Sequence, residues 1–327
     1  MRLVRSTLIL LGLAASPAWA AETAVVDLTT WKVPDINSLP DDSHGKLVRF
    51  GHELTVATFK HIGPEVADKS KRYAGNNLSC QNCHREAATQ PYAMPWTGVS
   101  AVFPQYRSRE DKISTVEDRV NGCMQRSMAG QKLPDDSPEM KAFVAYIDFL
   151  SQGIPKGAKI TGAGVKAVAL PDRMADLAHG EQVFKEVCSA CHGEDGHGVR
   201  NGAQSDAQGY QFPPLWGPDS YNQGAGMYRL ASAARFVMHN MPLGTTYAAP
   251  TLSIDQAYDV MAYVNTQPRM AKQGMENDFP NRLKKPADMP FPPYADGFSQ
   301  AQHQYGPFGP INAELKRLNE QAKTDKR

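Results

Sequence analysis

The 327-residue chain is 41% hydrophobic and 21% charged, which excludes a disordered polypeptide and predicts a packed core. Its 35 basic residues face 34 acidic ones, and that balance excludes a generally basic nucleic-acid binder. At about 150 residues per domain, the length predicts two domains.

In chain order, residues 1–20 have the layout of a secretory leader. Arg2 and Arg5 precede the apolar run Leu8-Ile9-Leu10-Leu11-Gly12-Leu13, and Ala18-Trp19-Ala20 is an A-x-A cleavage site. No later apolar run approaches the ~20 residues of a membrane-spanning helix, so the exported chain is expected to be soluble. A helical pattern from Lys46 to Lys60 precedes Cys80-Gln81-Asn82-Cys83-His84. Residues 114–130 read as a helix with Ser114 and Glu117 as capping box and Gly130 as C-terminal cap. Another helix begins near Ser137-Pro138-Glu139 and carries Ala145-Tyr146-Ile147, with proline at its first position.

The stretch from Gly153 to Gly164 reads as an exposed linker. The same order then returns: a helical pattern from Met174 to Glu186, the motif Cys188-Ser189-Ala190-Cys191-His192, and a late helix. That helix opens with the capping box Ser253 to Gln256 and carries Ala262-Tyr263-Val264. After Pro268 the pattern stops, apart from a short helix near Asn312 to Ala322. Phe279, Phe291, Tyr294, Phe298 and Phe308 predict a tail laid across the domains rather than a free one.

Five cysteines are an odd count for an exported chain, where thiols normally pair. Four of them fall in two Cys-x-x-Cys-His motifs. That spacing attaches a c-type haem: two thiols add to the vinyl groups of one porphyrin, and the next imidazole is carried to the iron. A structural zinc site does not need the adjoining histidine, and a thioredoxin-like pair expects a βαβ setting that is missing here. Two covalently bound haem c are expected, attached at Cys80, Cys83, Cys188 and Cys191, with His84 and His192 as iron ligands.

Each iron needs a group on its other face. In the second unit Met241-Pro242 is the candidate, with Met238 and His239 as competitors. In the first, Met94-Pro95 follows His84 too closely to bring a loop around a ring, which leaves Cys123, Met124 and Met128. A lone cysteine is ordinarily a buried inert thiol. Here, at helical spacing, Arg119, Cys123, Arg126 and Ser127 share one face, and Gly122 removes bulk beside the thiol. Arginines around a thiol make an anion site and favour the thiolate. Arg107 and Arg109 stand just upstream. Cys123 is the expected distal ligand.

The repeated order of helix, motif, loop and helix resembles class I cytochrome c, most closely in the second unit with Cys191-His192-Gly193 and Pro213-Pro214-Leu215. The resemblance implies a mainly α fold of two tandem class I cytochrome c domains with a long irregular C-terminal tail. The expected boundaries are leader 1–20, N-terminal domain with the catalytic haem 21–152, linker 153–172, C-terminal electron-transfer domain 173–268, and extension 269–327. More specifically, Gly75 to His84, Thr89-Gln90-Pro91-Tyr92, Val102 to Arg107, Arg119 to Met128 and Asn240-Met241-Pro242-Leu243-Gly244 resemble the dihaem thiosulfate dehydrogenases.

That resemblance implies periplasmic coupling of two thiosulfates to tetrathionate, and in some members the reverse reduction. It implies His84 and Cys123 as the axial pair at the catalytic haem, with Arg109, Arg119 and Ser127 lining the substrate pocket. His192 and Met241 would hold the second haem, which passes electrons to a soluble cytochrome c or similar redox protein. Some members place a lysine before that methionine as an exchangeable ligand. Here the position is Asn240, which offers no such donor.

Three other readings are weighed. A dihaem electron carrier without a substrate predicts that Cys123→Met leaves function intact. A Cys-ligated sulfur-transfer cytochrome of a multienzyme sulfur-oxidation system would need partner subunits. A dihaem peroxidase has similar length, but nothing in the chain supplies an open haem face beside an acid–base residue.

Overall fold

The computed structural model describes residues 23–325, so the leader expected over 1–20 lies outside them. In the first unit, α1 (Ser43–Val56) starts where Asp42 accepts the Gly45 N–H. After the first cysteine motif comes α2 (Val116–Met124), then α3 (Pro138–Leu150), capped by Ser137 with Pro138 in its first turn as expected. In the second unit, α4 (Leu177–Val183) runs into a π-helical turn, Phe184–Cys188, that delivers the second motif. Next come α5 (Leu230–Asn240) and α6 (Ile254–Thr266), the latter opened by the predicted Ser253–Gln256 capping box. Among the described residues, no helix is long and apolar enough to cross a membrane.

Each unit closes where its first and last helices cross, and both crossings need a glycine. A Cβ on Gly51 would stand 2.1 Å from the Ala142 carbonyl oxygen and 2.6 Å from the Tyr146 Cβ. A Cβ on Gly180 would stand 2.1 Å from the Asp259 carbonyl oxygen and 2.9 Å from the Tyr263 Cβ. The repeated tyrosines are thus the crossing partners of two equivalent glycines. An indole sits against each: Trp96 packs edge-on to Tyr146, and Trp216 edge-on to Tyr263, both at 6.3 Å between centroids. Leu54, Met140 and Phe143 fill the first core; Phe184, Phe236, Tyr258 and Val260 fill the second.

The helix expected over 114–130 is shorter. Lys112–Ser114 is a strand paired antiparallel with Gln105–Arg107, so Ser114 cannot cap, and Thr115 with Asp118 forms the capping box instead. The helix ends at Met124, where the chain turns and the Cys123 carbonyl takes the N–H groups of Arg126 and Met128. Gly130 lies beyond that turn. It is required by close approach to Tyr73, whose carbonyl oxygen a Cβ would meet at 2.0 Å.

The linker is not simply exposed. Lys159–Thr161 pairs in parallel with Val25–Asp27, and the Gly162 and Gly164 carbonyls accept from Tyr92 and Met94. It therefore braces the loop behind the first motif. The tail is laid across the domains, as its aromatics suggested. Its helix, α7 (Phe308–Thr324), is longer than expected and buries Phe308 and Ile311 in the second core, while Phe291 stacks on Tyr228.

Polar contacts join the two units. Asn76 Nδ2 donates to the Ser127 and Ser220 carbonyls at 2.9 and 3.0 Å, and Arg200 pairs with Glu65 at 2.6 Å.

Candidate functional site

Each unit encloses a largely apolar cavity behind its motif. The first, 380 Å³, is lined by Cys80, Cys83 and His84 together with Cys123, Met124 and Met128. The second, 560 Å³, is lined by Cys188, Cys191, His192 and Met241. In both, a backbone carbonyl fixes the histidine: His84 Nδ1 is 2.5 Å from the Met94 oxygen, and His192 Nδ1 is 2.7 Å from the Pro213 oxygen. With Nδ1 donating, Nε2 is the nitrogen left to bind iron. Both carbonyls precede a proline. Met94-Pro95, set aside from the spacing alone, therefore acts through its main chain as the counterpart of Pro213-Pro214.

No disulfide joins any of the five cysteines. Paired thiols, an oriented imidazole and an apolar cavity in each unit fit a haem c in each. Gly122 is not part of this fit: it does not line the first cavity, and a Cβ there would meet nothing within 4 Å, so no neighbour requires glycine at that position.

Met241, which also lines the second cavity, follows α5 directly. The competitors Met238 and His239 do not line this cavity, and His239 Nδ1 bonds the Arg235 carbonyl within its own helix. Asn240 is buried. Its Nδ2 donates to the Phe236 carbonyl and its Oδ1 accepts from Gln90 Nε2, each at 2.9 Å. The side chain thereby ties the Met241 segment to the first unit.

In the first cavity, Cys123 differs electrically from three of the motif thiols. Burial pushes Cys80 and Cys83 up to about 12 and Cys188 up to about 11. Burial pushes Cys123 up too, but the Arg119 charge and the hydrogen bond from Arg119 act against it and favour the thiolate. Arg119 Nη1 donates to Sγ at 2.8 Å across one helical turn, as the spacing predicted.

A small cavity of 110 Å³ adjoins this thiol and brings together Arg107, Arg109, Arg119, Arg126, Ser127 and Glu110. Arg126 and Ser127 reach it from the turn after α2 rather than from the helix face. The second unit holds that turn: Asn222 donates its N–H to the Arg126 carbonyl and its Nδ2 to the Gln125 carbonyl. The tail supplies what sequence reading missed. Asp278 pairs with Arg109 and Arg126, each at 2.7 Å, and Phe279 lies under Arg109 at 5.0 Å. Burial and the neighbouring Arg126 lower Arg109 to about 10, still charged at neutral pH. The only sequence signal for this was the aromatic at 279.

Removing one partner of a buried ion pair costs about 3–5 kcal/mol. Asp278→Asn is therefore expected to lower the thermal midpoint, because Arg109 and Arg126 lose the carboxylate that both engage. Calorimetry checks this, and an unchanged midpoint would refute the role.

A family model described as SoxA/TsdA, cytochrome c domain, matches residues 69–155, and one described as cytochrome c matches residues 177–268. The thiosulfate dehydrogenase of Allochromatium vinosum is 40% identical over 257 residues, covering 77% of this chain and 88% of that protein. That of Stutzerimonas stutzeri is 38% identical, covering 72% of each. A solved thiosulfate dehydrogenase, TsdBA of Marichromatium purpuratum, superposes with a TM-score of 0.65 at 31% identity; it covers 75% of this chain, which spans about half (51%) of that one. Two cytochrome c domains, a cavity at each Cys-x-x-Cys-His motif and these likenesses agree: the chain belongs to the thiosulfate dehydrogenase family, oxidoreductases built on tandem haem c domains.

Proposed function

We propose that the protein acts in the periplasm and joins two thiosulfates into tetrathionate at Cys123, releasing two electrons, with the reverse reduction available to the same site. The observation that carries this reading is Arg119 holding the Cys123 sulfur at 2.8 Å, in the cavity that His84 also lines and beside a pocket of guanidiniums. An electron carrier needs no anion pocket on a ligand, so the geometry favours an enzyme.

In this reading His84 and Cys123 would hold the iron of the first haem and His192 and Met241 that of the second, with Cys80, Cys83, Cys188 and Cys191 as the attachment points. When bound, the two haems supply a one-electron acceptor in each cavity. The Cys123 thiolate forms an S–S bond with the outer sulfur of one thiosulfate, giving Cys–S–S–SO₃⁻ and losing two electrons. The outer sulfur of a second thiosulfate then attacks the middle sulfur of that adduct. Tetrathionate leaves and the thiolate returns, so atoms and charge balance. Arg109, Arg119 and Ser127 bind the sulfonate oxygens and offset the repulsion between two dianions.

Ser79 lines both cavities, and Gln81 and Asn82, between the first pair of cysteines, line the second. This shared wall supports electron flow from the first haem to the second and on to an acceptor cytochrome. Purified holoenzyme with thiosulfate and ferricyanide should yield tetrathionate at one per two electrons. Electron paramagnetic resonance and near-infrared spectra of the oxidised form should show one thiolate-ligated and one thioether-ligated haem. A thioether at both would sink the proposal.

A further inference from the structure

We propose that a second anion subsite lies directly outside the Cys123 pocket and holds the second thiosulfate, or the outer sulfonate of tetrathionate. This rests on the thiosulfate reading above and extends it from one anion to two. A cavity of 250 Å³ is lined by Arg107, Ser108, Arg109, Arg229 and Phe279 among others. Arg107 and Arg109 also line the smaller cavity at Cys123, so the two spaces share a wall of guanidinium groups.

No carboxylate lines the outer cavity. The acids that pair with its arginines stand outside that lining: Glu110 at 3.4 Å from Arg107, Asp278 at 2.7 Å from Arg109, and Asp288 bound by Arg229. Arg229 engages Asp288 through Nε at 3.0 Å and through Nη2, and Asp288 also accepts the Ala231 N–H at 3.1 Å. The guanidinium is thus fixed just ahead of α5, with Nη1 free of protein acceptors.

The chemistry asks for such a place. Tetrathionate carries a sulfonate at each end of its sulfur chain, and the inner pocket surrounds only the end at Cys123. The attacking thiosulfate is a dianion that must approach an occupied anionic site, and fixed cations along its path offset the repulsion. Arg229 is the one guanidinium of the outer cavity that does not line the inner one, and it comes from the other unit. The outer subsite binds and aims; bond formation stays at Cys123.

Arg229→Gln alone would leave Asp288 buried and unpaired, so the test uses Arg229→Gln with Asp288→Asn. Thiosulfate is titrated calorimetrically into oxidised Cys123→Gly holoenzyme without an electron acceptor, with and without that pair. Two bound thiosulfates falling to one support the subsite; the same stoichiometry in both overturns it. Should the double variant not fold, Ser108→Asp in the otherwise native enzyme places a negative charge in the outer cavity. It is expected to raise the KM for thiosulfate about tenfold, with Ser108→Asn near native. An unchanged KM in Ser108→Asp overturns the proposal. Failure of the native enzyme to form tetrathionate would instead strike the thiosulfate reading, while the calorimetric count would still report the second site.

Discussion

Cys123→Gly is expected to lower thiosulfate turnover by about three orders of magnitude while both haems remain attached. Removing a covalent catalyst abolishes its whole route and leaves only the binding and electrostatic contributions of the pocket. The surroundings should survive. Arg119 loses the sulfur it donates to, but α2 is held by its Thr115–Asp118 capping box and by Asn121, which bonds Leu133 on both its N–H and its carbonyl. Cys123→Met separates the remaining readings. It keeps a sulfur ligand but cannot carry a sulfane sulfur, so an electron carrier would keep its function and an enzyme would not. The measurements are tetrathionate yield, haem content and the resonance spectrum of the oxidised form. Full turnover in the glycine variant would end the mechanism proposed here.

Gly180→Ala should destabilise the second unit by about 2 kcal/mol, although helix propensity alone predicts the opposite sign. Alanine in place of glycine gains about 1 kcal/mol within a helix. Against that, the new Cβ would sit 2.1 Å from the Asp259 carbonyl oxygen, a backbone atom that cannot rotate away. Separating two packed helices typically costs about 1–3 kcal/mol and exceeds that where no side chain can yield. The Asp259 carboxylate raises the cost, because it accepts from Arg173, the Asp176 N–H and His179 across the same crossing. At about 4–8 °C per kcal/mol for a unit of this size, the midpoint should fall by roughly 10 °C. Thermal unfolding followed in the Soret band reads it, and a raised midpoint would show that the helices do not pack at Gly180. Gly51→Ala should act alike in the first unit, where the carbonyl is that of Ala142.

The sequence by itself determined the features carried by short, contiguous patterns. Both Cys-x-x-Cys-His motifs, the Ser253–Gln256 capping box, Pro138 at a helix start and the one-turn spacing of Arg119 and Cys123 are local, and each is present as read. The limits of α2 were misread because Ser114 and Thr115 are equally good caps by type, and only the strand pairing of Lys112–Ser114 chooses between them. Tertiary structure alone decided what meets across long separations. Asp278 reaches Arg109 and Arg126 from the tail, Asn222 holds the turn after Cys123 from the other unit, and Met94 serves through its carbonyl rather than its sulfur. Gly51 and Gly180 look like ordinary helix residues until a second helix arrives within one atom's width. The physical reason is common to all of these. A hydrogen bond or close contact between residues far apart in the chain leaves no periodicity in either segment, so its partner is fixed only when the two cores have packed.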